Sequence, residues 1–223
     1  MLPPGQREIG DFPRFGVPAY ANRLASVTAA EPGLDVNGAR MSPEALAALE
    51  RVELKADFHC VTTWTRRGLA WSGFRLRDVL ERAVRVEGAR FLEVRCLDGF
   101  SCCLLLEDAL ADNVLLADRL DGAPLTPEHG APLRLVAPDL YGYKNAKHVA
   151  SLRETPEWRT GAAERQTLAH PRGRVAREER SRLLPAAVAR WLYRSLLPAT
   201  LAIYRRAARR PATLKPVPPA RTA

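Results

Sequence analysis

FLEVRCLDGFSCCLLL (residues 91–106) reads as two β-prone runs flanking Asp98-Gly99, a dipeptide suited to a tight hairpin turn. Working outward, Glu107 to Leu110 continues as a helical turn, and APLRLVAP (131–138) is a short strand bounded by prolines. YGYKNAKHVASL (141–152) begins as a loop and returns to a strand. Upstream, PGLDVNG (32–38) ends in an Asn-Gly turn. Ser42, Pro43 and Glu44 then supply an N-cap, a first-turn proline and an early acid for a short helix. Val52 to Cys60 is expected to be a strand with Cys60 at its end. Phe74 to Val86 shows helical spacing at Leu76, Val79, Leu80 and Ala83. Strands and short helices mix without a βαβ alternation, which predicts an α+β fold.

The chain has 223 residues, enough for one domain and an extension, here 1–155 and 156–223. Its formal charge of +9 is unevenly spread. Residues 1–155 hold 19 Lys/Arg against 21 Asp/Glu, while residues 156–223 hold 15 against 4. A basic excess confined to the last third suits an acidic partner or an anionic surface. The opening stretch carries neither a basic run followed by an apolar run nor a twin arginine, and the four cysteines form no CxxC pair. The expectation is a cytoplasmic protein with free thiols.

Three stretches could carry chemistry. Cys60, in DFHCVTTW, has three open readings: a small buried apolar side chain, a nucleophile paired with His129 or His148, or a soft thiolate ligand to a metal. PEHGAPLRL (127–135) and YGYKNAK (141–147) place His129, Arg134, Lys144 and Lys147 on two loops at the ends of one strand. Converging cations suit a phosphate, and two solvated basic turns are the plainer reading. Neither loop is a P-loop or a dinucleotide fingerprint.

Several separated motifs together resemble the molybdopterin-binding domain of the sulfite oxidase family over residues 10–155. These are CVTTW (60–64), LAWSGFRLRDVL (69–80), the hairpin leading into LLLEDAL (104–110), LDGAPLTPEHGAPLRLVAP (120–138) and YGYKNAKHV (141–149). The resemblance implies that family's mixed-sheet fold and a molybdenum–pterin cofactor, one molybdenum per chain, with Cys60 as the protein's thiolate ligand. It matches His129 and Arg134 to pterin-phosphate contacts, and Lys147, with the Asn145 and Ala146 backbone, to the loop at the cofactor's phosphate end. FPRFG (12–16) resembles the family's F-x-R-x-H element through Phe12 and Arg14, with Gly16 where histidine is usual. Cys96 falls near a cofactor-contacting position of relatives. Arg14 becomes the candidate for attracting an anionic substrate, and Tyr141 or Tyr143 for offering a hydroxyl. The implied activity is two-electron oxygen-atom transfer on a small substrate. Electrons would be exchanged with a separate, membrane-associated carrier, since the chain holds no haem-binding domain.

The extension is helical in flavour over 169–210, with Pro185 and Pro198 expected to divide it. Aromatic and aliphatic residues among arginines over 182–210 suit a helix lying on a membrane surface, which would make the protein peripheral at the inner membrane face. Packing back onto the core is an equally weighted reading, and nucleic-acid binding a minor one. KPVPPARTA, at the chain end, is expected to be disordered. Two rivals to the enzyme remain: a non-catalytic docking protein that retains the fold, and a cysteine hydrolase.

Overall fold

A computed structural model describes residues 1–13 and 33–208, with backbone alone for 203–208. Arg14, Gly16 and the Pro-rich end lie outside the described residues. Two mixed sheets carry the fold. The first pairs β4 (Arg51–His59) with β5 (Trp64–Arg75), β5 with β8 (Leu115–Leu120), and β8 with β10 (Arg134–Val136), all antiparallel. Short β9 (Ala123–Pro124) folds back on β8, and β1 (Arg7–Glu8) runs parallel to the start of β5. The second sheet has the order β3 (Ala39–Met41), β2 (Leu34–Val36), β11 (Val149–Thr155), β6 (Phe91–Cys96), β7 (Ser101–Leu105). Among the described residues its only parallel pair is β11 with β2.

Local chemistry explains most boundaries. Asn37 and Gly38 both take positive φ, 52° and 85°, as the turn between β2 and β3 demands. Ser42 Oγ accepts from the Ala45 amide at 3.2 Å, capping α1 (Pro43–Ala47). In the 97–100 loop, Gly99 has φ 84°, and Asp98 Oδ1 accepts from the Phe100 amide at 2.9 Å. Helix α3 (Leu106–Ala109) follows β7 as expected.

Two elements differ from the sequence reading. Phe74 lies in β5, and α2 spans only Leu76–Glu81. Leu76, Val79 and Leu80 are fully buried, whereas Val84 and Val86 are exposed, so no burial sustains a helix past the first turns. Pro198 does not divide the last helix either: α5 runs unbroken from Ala186 to Ala208 with Pro198 on its exposed side, after Pro185 at its start. Residues 169–185 are not helical.

The larger core cluster lies under the second sheet, with Leu34, Leu76, Leu80, Leu92 and Leu104 at its centre. The other is aromatic and belongs to the first sheet: Phe58, Trp64, Trp71, Leu115 and Cys60. Burying one large apolar side chain contributes about 2 kcal/mol. The 137–148 loop passes from β10 to β11 and thus joins the two sheets. It is cross-tied by Leu135 N to Ala146 O and Val149 N to Leu133 O, both 2.8 Å. Helix α4 (Ala162–Gln166) packs on β7 beyond Thr155.

Candidate active site

Cys60 follows the last residue of β4, as the sequence reading expects. The β4–β5 connection is a tight turn in which the Cys60 amide reaches Trp64 O (2.8 Å) and the Thr63 amide reaches Cys60 O (3.2 Å). Thr63 pays for this turn with φ 76°, a conformation a β-branched residue strongly disfavours. Its buried Oγ1 has no hydrogen-bond partner. Strain of this kind persists only where surrounding contacts over-determine the backbone.

The Cys60 thiol is buried and bonds with the Thr62 hydroxyl at 3.1 Å, not with a histidine. Burial pushes it up to about 11, against weaker opposing effects of Thr62 and the Arg180 charge. His59 is turned to Thr65 Oγ1 (2.8 Å), and His148 Nδ1 meets Ala131 O at 2.6 Å. A protonated thiol with no base beside it is a poor nucleophile. As a ligand it would bind as the thiolate, with the metal displacing its proton to solvent.

Tyr141 shares this corner. It is fully buried, and its hydroxyl makes no hydrogen bond of normal geometry, though the Gln6 amide is close enough to favour its ionised form. Burial dominates, raising the phenol to about 12. The Arg180 guanidinium lies 5.0 Å from the ring centroid. Gly142 follows because its backbone abuts the Phe58 ring, where a Cβ would come within 2.2 Å, while its amide donates to His59 O at 2.7 Å. This contact binds the 141–147 loop to the end of β4. Tyr143 points elsewhere, donating to His170 O at 2.6 Å, so of the two tyrosines only Tyr141 faces the Cys60 corner.

A second corner is cationic. Arg134 is 1% exposed and boxed by the rings of Trp71, Phe58 and Phe12, at 5.0, 5.2 and 5.5 Å. Its Nη1 donates to His129 O at 3.0 Å, while Nε has no partner and no carboxylate pairs with it among the described residues. Burial lowers it to about 9. His129 stacks on Phe12 with centroids 4.9 Å apart, and its buried Nδ1 is also unpaired. Burial first, then Lys147 and Arg134, depress His129 to about 4. Gly130, at φ 111°, brings the backbone against the stems of Lys147 and Arg134. Lys147 Nζ donates to Glu128 O at 2.7 Å.

The structure thus gathers Phe12, His129, Arg134 and Lys147 in one corner and Cys60 with Tyr141 in another. Phe58, two residues before Cys60 and stacked against Arg134, joins them. Asn145 serves its own loop: its Oδ1 accepts from Ala137 N (2.8 Å), and its Nδ2 donates to Ala137 O and Leu140 O (both 3.2 Å). The Asn145 and Ala146 amides are also occupied, by Gly142 O and Lys144 O. Lys144 leaves the cationic group altogether, buried against Glu164 (3.0 Å) and Cys103 O (2.7 Å). Cys96 lies in the larger core cluster, away from Cys60. The sequence reading assigns no role beside Cys60 to Gln6, Thr63, Arg180 or Tyr193; Thr63 lies within CVTTW, and no local pattern marks the other three.

The donor set can be tested against a molybdenum–pterin group. Among the described residues no three His, Cys, Asp or Glu side chains converge, so a metal at Cys60 would need its further sulfurs from a bound organic group. An unpaired, desolvated guanidinium and an unpaired imidazole nitrogen suit a phosphate oxygen. The residues fit.

The comparisons agree on the class. Residues 31–162 match the family model described as the oxidoreductase molybdopterin binding domain, and the chain belongs to that family of molybdopterin oxidoreductases. Among its relatives is a Bacillus subtilis protein termed uncharacterized oxidoreductase YuiH, 37% identical over 174 residues, which cover 77% of this chain and 87% of YuiH. The catalytic subunit of the protein-methionine-sulfoxide reductase MsrP from Campylobacter jejuni is 27% identical over 146 residues, 56% of this chain but only 49% of MsrP. In fold, the sulfane dehydrogenase SoxCD of Paracoccus pantotrophus superposes with a TM-score of 0.54 at 21% identity, over 64% of this chain and 43% of that one.

Proposed function

We propose that this oxidoreductase carries out two-electron oxygen-atom transfer at a molybdenum–pterin centre ligated by Cys60, reducing a small sulfoxide. The observation that carries the reading is the joint placement, through Phe58, of a buried free thiol and a buried cation with no counter-ion among the described residues. Arg134, His129 and Lys147 would hold the phosphate end, and Phe12 would pack beside it. Cys60 would hold the metal, and the Tyr141 hydroxyl would donate a hydrogen bond to a substrate oxygen. When bound, the cofactor supplies the two-electron redox change and the acceptor for the transferred oxygen. The balance is sulfoxide plus two electrons and two protons giving sulfide and water. The electrons come from a separate carrier. The sulfoxide, though not its size, rests on the relatives named protein-methionine-sulfoxide reductases; sulfite and N-oxides are the competing substrates.

The decisive measurement is elemental analysis of protein purified from a host that makes the cofactor. About one molybdenum per chain is expected, lost in Cys60→Ala. A full complement in the alanine variant sinks the ligand assignment. With reduced viologen as donor for the sulfoxide, and ferricyanide as acceptor in the separate sulfite assay, sulfoxide turnover is expected to exceed sulfite oxidation.

Two further points belong to this reading. Four buried free cysteines favour a reducing, cytoplasmic setting. The outer face of α5 favours contact with an anionic membrane surface, because Val188, Trp191, Leu192 and Leu196 stand exposed at helical spacing. An electron carrier in that membrane would then be within reach.

A further inference from the structure

Every carbonyl but one of the turn that presents Cys60 is gripped from outside it, and each grip comes from beyond the family-matched residues 31–162. Gln6 Nε2 donates to Cys60 O at 3.0 Å. The Arg7 amide donates to Thr63 O at 3.0 Å. Arg180 Nη1 donates to Val61 O at 2.6 Å. Arg180 is also what joins the two chain ends, for its Nη2 donates to Pro4 O at 3.1 Å and its Nε to Glu178 Oε1 at 3.1 Å. Helix α5 closes over this knot through Arg190 on Glu178 (3.4 Å) and Arg194 on Gly5 O (3.2 Å).

We infer that Arg180 is a positioning residue for the reacting centre, and that residues 3–8 and 178–194 form a clamp that completes the Cys60 site. Thr63, a β-branched residue held at φ 76°, relaxes unless its neighbours prevent it, and relaxation would carry the Cys60 Sγ with it. Arg180 prevents it with one rigid planar fork serving three acceptors in different directions. Its side chain is wholly buried, so water cannot replace any bond that is lost. The same guanidinium faces the Tyr141 ring, so one residue fixes both the thiol and the hydroxyl beside it. A lysine would keep the charge, but its compact ammonium lacks the planar reach to Val61 O, Pro4 O and Glu178 together.

The inference concerns the cofactor site proposed above, yet the hold on the turn can be read without the cofactor. Amide hydrogen exchange of full-length, cofactor-free protein would be followed by mass spectrometry in peptides spanning 58–66 and, for reference, 91–105. Arg180→Lys and Arg180→Met are compared with Arg172→Met, which removes a bidentate ion pair to Asp108 outside the clamp but within residues 156–223. In both Arg180 variants protection over 58–66 is expected to fall about ten-fold or more while 91–105 holds, with lysine the milder; Arg172→Met should leave 58–66 unchanged. In loaded protein, the sulfur-to-molybdenum absorption band should shift in Arg180→Lys at unchanged metal content. Equal protection over 58–66 in wild type and both Arg180 variants overturns the clamp. Loss of protection in protein that never takes up molybdenum would leave the clamp standing and refute the cofactor reading instead.

Discussion

At the scale of single residues, Arg134 separates function from stability. A guanidinium taken out of water with no carboxylate to meet it costs the folded chain free energy, offset in part by the three aromatic rings around it. Under the proposed phosphate site, such a residue serves a ligand and not the fold. Arg134→Met keeps the apolar stem and removes the charge. The cofactor-free variant is therefore expected to melt at the same temperature as wild type or higher, while pterin retained through purification falls by about an order of magnitude. Scanning calorimetry of cofactor-free protein and fluorescence of the oxidised pterin released on denaturation report the two quantities separately. A large drop in melting temperature would make Arg134 a structural residue and remove the main support for a phosphate site.

At the scale of elements, Lys144 shows the opposite balance. Its ammonium is sealed against Glu164, whose other oxygen accepts from Trp158 Nε1 at 3.1 Å, so the pair ties the 141–147 loop to α4. Glu164→Gln leaves a buried cation unpaired and is expected to destabilise by about 3 kcal/mol in urea unfolding, with molybdenum per folded chain unchanged. A Lys144→Met, Glu164→Leu double variant should recover most of that loss. Lys144 also marks where sequence reading stops. Its spacing from His129 and Arg134 groups it with the cations, and only the tertiary packing of α4, distant in the chain, turns it away. Strands and turns with local causes were legible: the Asn37-Gly38 and Asp98-Gly99 turns, the Ser42 cap, and Cys60 at the end of β4. β8 went unread, although Asp121-Gly122 after Leu115–Leu120 is the same kind of hairpin signal. The gathering of Phe12, His129, Arg134 and Lys147 matches what the family resemblance implies, and their role toward a cofactor belongs to the proposal. Arg180 was not legible, because its role consists of contacts to residues 119 and 176 positions away.

At the scale of the whole molecule, α5 presents two faces with different tasks. Its inner face supplies Ala189, Arg190, Tyr193, Arg194 and Leu197 to the body of the protein, and Arg190 and Arg194 are thereby drawn inward instead of framing the apolar stripe. The outer stripe remains: Trp191 is 69% exposed and Leu196 51%, with none of the described residues packed over them. No helix among the described residues is long and apolar enough to cross a membrane, so at a membrane the stripe would be buried by lying along the interface. Arg182 and the arginines of 205–210 supply positive charge at either end of the stripe in sequence. Attraction of roughly 1 kcal/mol per basic residue near an anionic surface, screened within a Debye length, makes the contact salt-sensitive. The protein is accordingly expected to float with vesicles rich in phosphatidylglycerol at low salt, to dissociate at high salt, and to ignore phosphatidylcholine vesicles. Trp191→Glu places a charge on an already exposed position, so the melting temperature should hold while vesicle binding weakens about ten-fold or more. If wild type and Trp191→Glu float equally, the stripe is not the docking face. If neither floats at low salt, no anionic membrane binds here, and an unidentified protein surface becomes the partner to seek.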